Sequence, residues 1–506
     1  MVDALAKAEP SQIPGIIEDL DDLAWWSEPL LRHDLAAEGN SRDDHRRRLH
    51  ARLALVDRDP SQVDPLVEEL LTGKVTYVLP IRQMLRPSAV TLTERFGEVL
   101  RNDKDPQRRF RAALALADYV PQSETAFWTN ENFNFVAEQL VSSNAEYQPL
   151  LREALRPIRD KLMPDLKRVF ADAEATDAQR LSAANAFADY AASDAVTLLQ
   201  LLTVATPDQF AVLYPLVAAS PSPSAVEELA NKAAALPPDD LGFVERIAYG
   251  QHRANAAVTL VRLGEREKVL PVFNYTDDPE ALTQFIFRCR ERGVGTEPLL
   301  ELLDIETRNV SEGPPPAITS EAFRRSAHAR YALLLALGEF GLEEIPETRR
   351  KPLLEQLADW YANDPSSGVH GAAGWLLRQW GQTEVATRVD QTPVAYSPDR
   401  EWFTLAISVT PTPPPQPSDD ATEEADESDA AAADDQDESD RDEKTNSKDE
   451  TADAEANEPA KESDAEPAPT KTFYYTFIVF PAEDYTIGAV EASPIGKRTR
   501  NGMRSI

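Results

Sequence analysis

The side chains best suited to metal chemistry are few and widely separated. Six histidines occur singly along the chain: His33, His45, His50, His252, His328 and His370. His45 and His50 are five residues apart, so they do not share a face of a helix. We therefore expect these histidines at helix starts or in packing, and the sequence predicts no metal-ligating residue.

The sequence contains none of the usual catalytic or cofactor-binding motifs. It has no GxxxxGK[ST] phosphate loop, no GxGxxG after a strand, no HExxH, no paired CxxC and no GxSxG. The single cysteine, Cys289, allows no intrachain disulfide, and we expect it to be a buried structural thiol. The sequence therefore predicts no catalytic residue and no cofactor.

Two groups of tryptophans could form a ligand-binding cage or part of the core. Trp25 and Trp26 follow the acidic helix start EDLDDLAWW, and we expect one of them in the end of the core. Trp360, Trp375 and Trp380 lie close together near the end of the helical region. We interpret these three as a hydrophobic cap that closes the core, with a ligand cage as the alternative.

The charge of the chain is strongly acidic and unevenly distributed. The formal net charge is -35, and residues 411–470 contribute -18 of it from 22 Asp or Glu and 4 Lys or Arg. The run RRR at 46–48 is a short basic face, too small for a nucleic-acid footprint. Because this balance repels phosphate backbones, we expect no nucleic-acid partner.

The elements that position these residues are helices of two alternating types. One type is rich in alanine, as in FRAALALADY at 110–119 and LSAANAFADY at 181–190. The other carries larger aliphatic and charged residues, as in PLVEELL at 65–71 and PLLREALRPI at 149–158. Apolar residues at i, i+3, i+4 and i+7 predict one-faced helices, and the alanine-rich type can pack closely on more than one side.

The spacing of the alanine-rich phrases indicates a helical repeat. Corresponding positions at 111, 182, 255 and 330 are separated by 71, 73 and 75 residues, with further helix pairs between them. A unit of roughly 35–40 residues is typical of two-helix repeats of HEAT type. The sequence therefore predicts an all-α, HEAT-like α-solenoid over residues 1–400, with an irregular helical bundle as the alternative.

The composition changes sharply after the helical region. Residues 411–472 are acidic and contain almost no large apolar residues, so we expect a disordered linker, or less simply an acidic docking motif. The run YYTFIVF at 474–480 predicts a strand, and PAEDYTIG after it predicts a second strand of a short C-terminal hairpin. One hairpin is too little to stand alone, so we interpret 473–506 as the truncated start of a domain.

The sequence also limits where the protein could act. No window of 18 residues is apolar and uncharged, and MVDALAKAEPSQIPG at the start lacks the features of a secretory signal. We expect no membrane span in this chain, a cytoplasmic location and a monomeric state.

Several phrases of the helical region resemble a known family. LREALRPIRDKLMPDLKRVFAD, HRANAAVTLVRLG, LLALGEFG and YANDPSSGVHGAAGWLLRQWG resemble the HEAT-like region of large planctomycete-type proteins. In those proteins a serine/threonine kinase domain often precedes this region, and a formylglycine-generating (sulfatase-modifying factor) domain usually follows it. The run FIVFPAEDYTIGAVE at 477–491 looks like the first strands of that second domain.

The resemblance transfers no catalytic residue to this chain. The family's enzyme domain uses a pair of cysteines to bind copper and oxidise a substrate cysteine, whereas this chain has Cys289 alone. The kinase glycine-rich loop, lysine and HRD segment are absent as well. The family's acidic continuation after 491 is replaced by ASPIGKRTRNGMRSI, so we expect a truncated or frameshifted gene, which resequencing of the locus tests.

These observations favour a binding function over catalysis. We expect a non-catalytic helical-repeat scaffold or regulatory region that binds protein partners on the concave face of the solenoid. The alternative is the N-terminal fragment of a formylglycine-generating oxidoreductase, or of a kinase-linked version of it. A third hypothesis is a regulator whose acidic segment, 411–470, binds basic partners.

Overall fold

The computed structural model describes residues 1–121, 127–274, 276, 278–311, 317–409 and 470–479. The chain divides into two compact units, Met1–Ala386 and Thr387–Ile506. The described residues are mostly helical, with one small antiparallel sheet. The predicted linker, 411–472, and the predicted truncated domain start, 473–506, lie outside the described residues apart from 470–479.

Helices follow one another along the whole of the first unit. Those up to residue 190 are α1 (Val2–Lys7), α2 (Ile13–Asp21), α3 (Ala24–Leu35), α4 (Arg42–Leu55), α5 (Val63–Thr72), α6 (Val78–Met84), α7 (Ala89–Asn102), α8 (Pro106–Tyr119), α9 (Asn130–Ser142), α10 (Gln148–Leu155), α11 (Arg159–Ala171) and α12 (Asp177–Tyr190). Those that follow are α13 (Ala195–Leu202), α14 (Pro207–Ala219), α15 (Pro223–Ala234), α16 (Phe243–Leu263), α17 (Arg266–Val269), α18 (Glu280–Glu291), α19 (Thr296–Ser311), α20 (Glu321–Gly338), α21 (Glu347–Asn363), α22 (Ser367–Gln379) and α23 (Thr383–Asp390).

Short 3-10 turns introduce or extend several of these helices. They span Pro10–Gln12, Pro60–Gln62, Val75–Tyr77, Arg86–Ser88, Arg156–Ile158, Leu270–Phe273 and Leu342–Glu344. Polar side chains cap many helix starts, as where Thr176 and Gln179 form a capping box at α12. Proline occupies a first-turn position of α8, where its missing N–H costs no hydrogen bond.

The alanine-rich helices are buried on more than one side. In α8 every residue from Ala112 to Ala117 is buried, and in α16 every residue from Arg253 to Val261 is buried. In contrast, α7 buries a single stripe, which includes Leu92, Phe96 and Leu100. Small side chains allow α8 to pack against α5, α7 and α10 at once, because neighbouring backbones can approach closely.

Ion pairs recur about 70 residues apart in the first unit. The Arg86 guanidinium lies 2.9 Å from the Asp118 carboxylate, at the end of α8. The Arg156 guanidinium lies 2.7 Å from the Asp189 carboxylate, at the end of α12. Both arginines begin a 3-10 turn, and both carboxylates precede the last tyrosine of an alanine-rich helix. The chain therefore forms the same local structure twice.

Tyrosine hydrogen bonds repeat with the same spacing. The Tyr119 hydroxyl donates to the backbone carbonyl of Arg82 at 2.9 Å. The Tyr190 hydroxyl donates to the backbone carbonyl of Arg152 at 2.9 Å. Burial raises the pKa of both phenols, so each stays a neutral donor over the physiological range. Each bond ties an alanine-rich helix to the short helix two places before it, α8 to α6 and α12 to α10.

Buried polar side chains satisfy backbone carbonyls at the ends of helices. The last carbonyls of a helix have no partner within it, and leaving them buried and unpaired would be costly. The side chains that bond such carbonyls come from later helices: His50 to Leu5, Gln209 to Phe170, Arg253 to Ala233, Asn255 to Thr203 and His370 to Tyr361. These polar residues hold together helices that are one to three places apart in the chain.

The second unit contains a sheet of two antiparallel strands, β1 (Trp402–Val409) and β2 (Lys471–Ile478). Trp402 pairs with Ile478 and Val409 with Lys471. The strand predicted within 474–480 is present, but it begins at Lys471, before the predicted end of the linker. Its partner is β1, which the sequence analysis missed. The strand predicted at 481–488 lies outside the described residues.

Candidate functional site

The histidines lie in separate places. His50 and His370 are buried and bond helix-end carbonyls, with 2.7 Å between Nδ1 and the acceptor oxygen in each case. Because a carbonyl can only accept, Nδ1 of each ring carries the proton. His45 lies in the first turn of α4, 3.5 Å from a carboxylate oxygen of Glu69. His33 is mostly exposed.

Cys289 is completely buried in α18, as expected for a structural thiol. Burial raises the pKa of this thiol far above its usual range, so it is a poor nucleophile at neutral pH. Across the described residues no group of three histidine, cysteine or acidic side chains is placed to hold a metal ion.

The expectation that Trp25 or Trp26 ends in the core is wrong. Trp25 is 81% exposed and Trp26 is 45% exposed. The reason is the orientation of α3, which buries the face that contains Ser27 and Leu31. Residues one or two positions before Ser27 project away from that face.

The three later tryptophans have different environments. Trp360 and Trp380 are buried, and the indole N–H of Trp380 donates to the carbonyl of Phe340 at 2.8 Å. Trp375 is 40% exposed and lies against the backbone at Gly338, where a Cβ atom would be 2.2 Å from its ring. Two of the three therefore contribute to the core, and Trp375 covers a glycine at its edge.

A large concave site lies between the start of α4 and the end of α5. Its volume is about 690 Å³. Ser41 caps α4 by accepting from the Asp44 backbone N–H at 3.1 Å. The first two turns of α4 line the cavity through one face of the helix, which carries Arg42, His45, Arg46 and Leu49 at helical spacing. Residues that close the other side are Glu69, Thr72, Gly73, Lys74 and Tyr77.

A second cavity of about 530 Å³ adjoins the first and shares Gly73 and Lys74 with it. Arg111 of α8 lies in this cavity and donates through Nη2 to the Gly73 carbonyl at 3.3 Å. Its Nη1 is buried and has no hydrogen-bond partner among the described residues. Burial lowers the pKa of this guanidinium, because its charge is less well solvated there than in water.

The two cavities are lined by corresponding segments of the chain. Tyr77 lines the first and Tyr147 lines the second, and each follows the end of a helix by the same number of residues. Likewise Leu49 of α4 and Phe110 of α8 form the floor of their own cavity. We call the two cavities together the basic groove.

Positive charge dominates the basic groove. Its lining includes five cations, Arg42, Arg46, Arg48, Lys74 and Arg111. Among the described lining residues one carboxylate, Glu69, opposes them. Lys74 is exposed at the junction of the two cavities. In a chain of net charge -35, this is a local reversal of sign that attracts carboxylates.

Part of the groove is visible in the sequence. Arg46 and Arg48 belong to the RRR run, which the sequence indicates to be a short basic face, too small for a nucleic-acid footprint. Lys74, Arg111 and Tyr147 were not singled out, although Arg111 lies within the repeated phrase. The signal that could have found them is the alignment of the segments after α5 and α9, which places Tyr77 and Tyr147 in register.

No family model, curated protein or solved structure that was compared with the chain matches it. Nor does any helix within the described ranges have the length and apolar character needed to cross a bilayer.

Proposed function

We propose that the chain is a non-catalytic helical-repeat scaffold of HEAT type that binds a protein partner. The recurrence of the Arg86–Asp118 contact as Arg156–Asp189 supports a true structural repeat. Contacts in the first unit join each helix to helices close to it in the chain, as α18 to α16 and α20. That pattern is typical of stacked repeats and favours the proposed solenoid over an irregular bundle.

The partner segment that the basic groove fits best is extended and acidic. The observation that carries this proposal is the pair of equivalent cavities joined at Lys74 and lined by five cations. Guanidinium groups pair with carboxylates through two parallel hydrogen bonds, and Arg111 has an unused buried donor, Nη1. Tyr77 and Tyr147 add aromatic surface at matching positions.

Fluorescence anisotropy with a short labelled peptide rich in Asp and Glu tests the groove. We expect binding that weakens steeply as salt is raised, because the charges are near the surface. Lys74→Glu should weaken binding at least about tenfold, since it removes an attraction and adds a repulsion at the junction.

The matched control is Lys351→Glu, which makes the same charge change at an exposed lysine of α21 outside the groove. It should leave the affinity within about twofold of wild type. Equal loss of affinity in the two variants would show that net charge, and not the groove, governs binding.

The alternative function remains the N-terminal part of a formylglycine-generating oxidoreductase or of a kinase-linked relative. It rests on the resemblance of FIVFPAEDYTIGAVE, the first residues of which lie at the end of β2. A copper-dependent oxidation assay on a sulfatase peptide distinguishes the two functions. We expect no turnover from this chain, and turnover would favour the alternative.

A further inference from the structure

The two faces of the sheet in the second unit differ in composition. Side chains alternate between the faces, so the partners across the strands share a face. One face is mixed. Two polar pairs lie on it, Thr404 with Thr476 at 3.2 Å between hydroxyl oxygens and Ser408 with Thr472 at 3.0 Å. They alternate with the pairs Trp402–Ile478 and Ala406–Tyr474. We call this the threonine face.

The other face is apolar between its two charged ends, and we call it the apolar face. It contains Phe403, Leu405, Ile407 and Val409 from β1, and Phe473, Tyr475 and Phe477 from β2. Six of these seven side chains are between 41% and 49% exposed, and Phe403 is half-buried. A continuous exposed patch of this kind marks a binding surface, and a two-stranded sheet is barely stable without a cover.

We propose that a second copy of this chain covers the apolar face, giving a two-fold symmetric dimer of face-to-face sheets. The apolar face carries opposite charges at its two ends, which makes it complementary to a second copy of itself. Lys471 lies at one end, where it pairs with Val409. Glu401 lies at the other end and follows the same alternation, since its carbonyl accepts from the Val479 N–H at 2.7 Å.

A two-fold axis that crosses the strands makes these ends complementary. It places Lys471 of each copy over Glu401 of the other, while the apolar rows face each other between them. The same axis places Val409, the last described residue before the acidic segment, at opposite ends of the interface in the two copies. Each segment carries a net charge of -18, so this arrangement keeps their repulsion small.

The size of the apolar face suits a reversible dimer. Burying about half of seven large side chains removes roughly 600 Å² per copy, or roughly 1,200 Å² in total. That is close to the lower limit for specific interfaces, about 1,200 Å². Sheets that pack face to face lie about 10 Å apart, a distance that the side chains of two apolar faces can fill.

Sedimentation equilibrium of the full chain over a range of concentrations tests the dimer. Wild type should show a monomer–dimer equilibrium. Ile407→Thr and Tyr475→Thr should each raise the dimer dissociation constant about tenfold or more, because both lie in the middle of the apolar face. Threonine favours strands, so the sheet itself should persist.

The matched control is Tyr474→Thr, which changes the neighbouring residue on the threonine face. It should leave the dissociation constant within about threefold of wild type. A wild type that stays monomeric at every concentration overturns the proposal, whatever then covers the apolar face. A dimer that Ile407→Thr does not weaken also overturns it, because another surface would then hold the copies together.

Reversing the charge at Lys471 or at Glu401 tests the orientation of the two copies in the dimer, because the two variants can be compared alone and as a mixture. Lys471→Glu alone and Glu401→Lys alone should each weaken self-association, since like charges then meet at both ends. An equimolar mixture of the two variants should form a heterodimer, because opposite charges then meet again at both ends of the apolar face. Failure of the mixture to associate better than either variant alone contradicts the proposed axis.

Discussion

Glu306 is the most unusual residue of the helical unit, because its carboxylate is completely buried in α19. The nearest cation is Arg325, with 3.6 Å between Nη1 and Oε1. Neither carboxylate oxygen has a hydrogen bond within the part of the chain that the structure describes. Burial raises the pKa of Glu306, since water no longer stabilises its charge.

The raised pKa predicts that Glu306 costs stability as pH increases. Its stabilising contribution is complete below the pKa of an unfolded glutamate and is lost as pH rises through the higher folded value. Glu306→Gln removes this loss. The melting temperature of Glu306→Gln should therefore exceed that of wild type by more at pH 8 than at pH 5, as measured by thermal unfolding.

Glu301→Gln is the control for this experiment, because Glu301 lies on the same helix and is half exposed. Its effect on the melting temperature should not grow with pH in the same direction. A Glu306→Gln variant that gains nothing between pH 5 and pH 8 would show that the folded pKa of Glu306 is close to that of an unfolded glutamate, and would contradict the account.

Replacing each of two glycines of α22 by alanine should have opposite effects on stability. A Cβ atom on Gly374 would lie 2.4 Å from the ring of Tyr361, whereas a Cβ atom on Gly371 would meet nothing within 4 Å. Gly374→Ala should lower the free energy of unfolding by about 1–3 kcal/mol through overpacking. Gly371→Ala should raise it by about 0.5–1 kcal/mol, because alanine favours the helix. Urea unfolding measures both, and stabilisation by Gly374→Ala would contradict the close packing of α21 and α22.

At the scale of elements, the tyrosine at the end of α8 and the tyrosine at the end of α12 should contribute equally to the free energy of unfolding. Tyr119→Phe and Tyr190→Phe each leave a backbone carbonyl without its donor and should each cost about 0.5–1.5 kcal/mol of unfolding free energy. The sites share no partner, so the double variant should show the sum within about 0.5 kcal/mol. Chemical denaturation provides the measurement. A large cost at one position and none at the other would mean that the two segments are not structural equivalents.

The helices could be predicted from the sequence because their determinants are local. Apolar spacing, capping residues and proline positions all fall within a few residues of each other, as at Thr176 and Gln179 of α12. The side on which a residue projects is harder to predict. For Trp25 and Trp26 it depends on which face α3 buries, and that depends on packing against other helices.

The strand pair shows the limit of local patterns more sharply. YYTFIVF predicts a strand correctly, but its partner β1 lies on the far side of a long acidic segment. Nothing in the local spacing of β1 specifies a partner that is so distant in sequence. The basic groove was not predicted for a related reason, because Lys74 and Arg111 come together through the contact of α5 with α8.

At the scale of the whole molecule, the repeated contacts and the basic groove support one proposal, that residues 1–386 stack as a HEAT-type solenoid. Binding of an acidic segment follows from it, because stacking is what places equivalent cavities side by side. A sheet-mediated dimer of the second unit would then present two such grooves in one assembly and increase avidity for a partner with two acidic segments.

Small-angle X-ray scattering from a fragment of residues 1–386 tests the solenoid most directly. A compact globule of that length would have a radius of gyration of about 21 Å. The proposed solenoid predicts a clearly larger radius and a skewed distance distribution with a long tail. A value near about 21 Å with a symmetric distribution would contradict the stacked repeat.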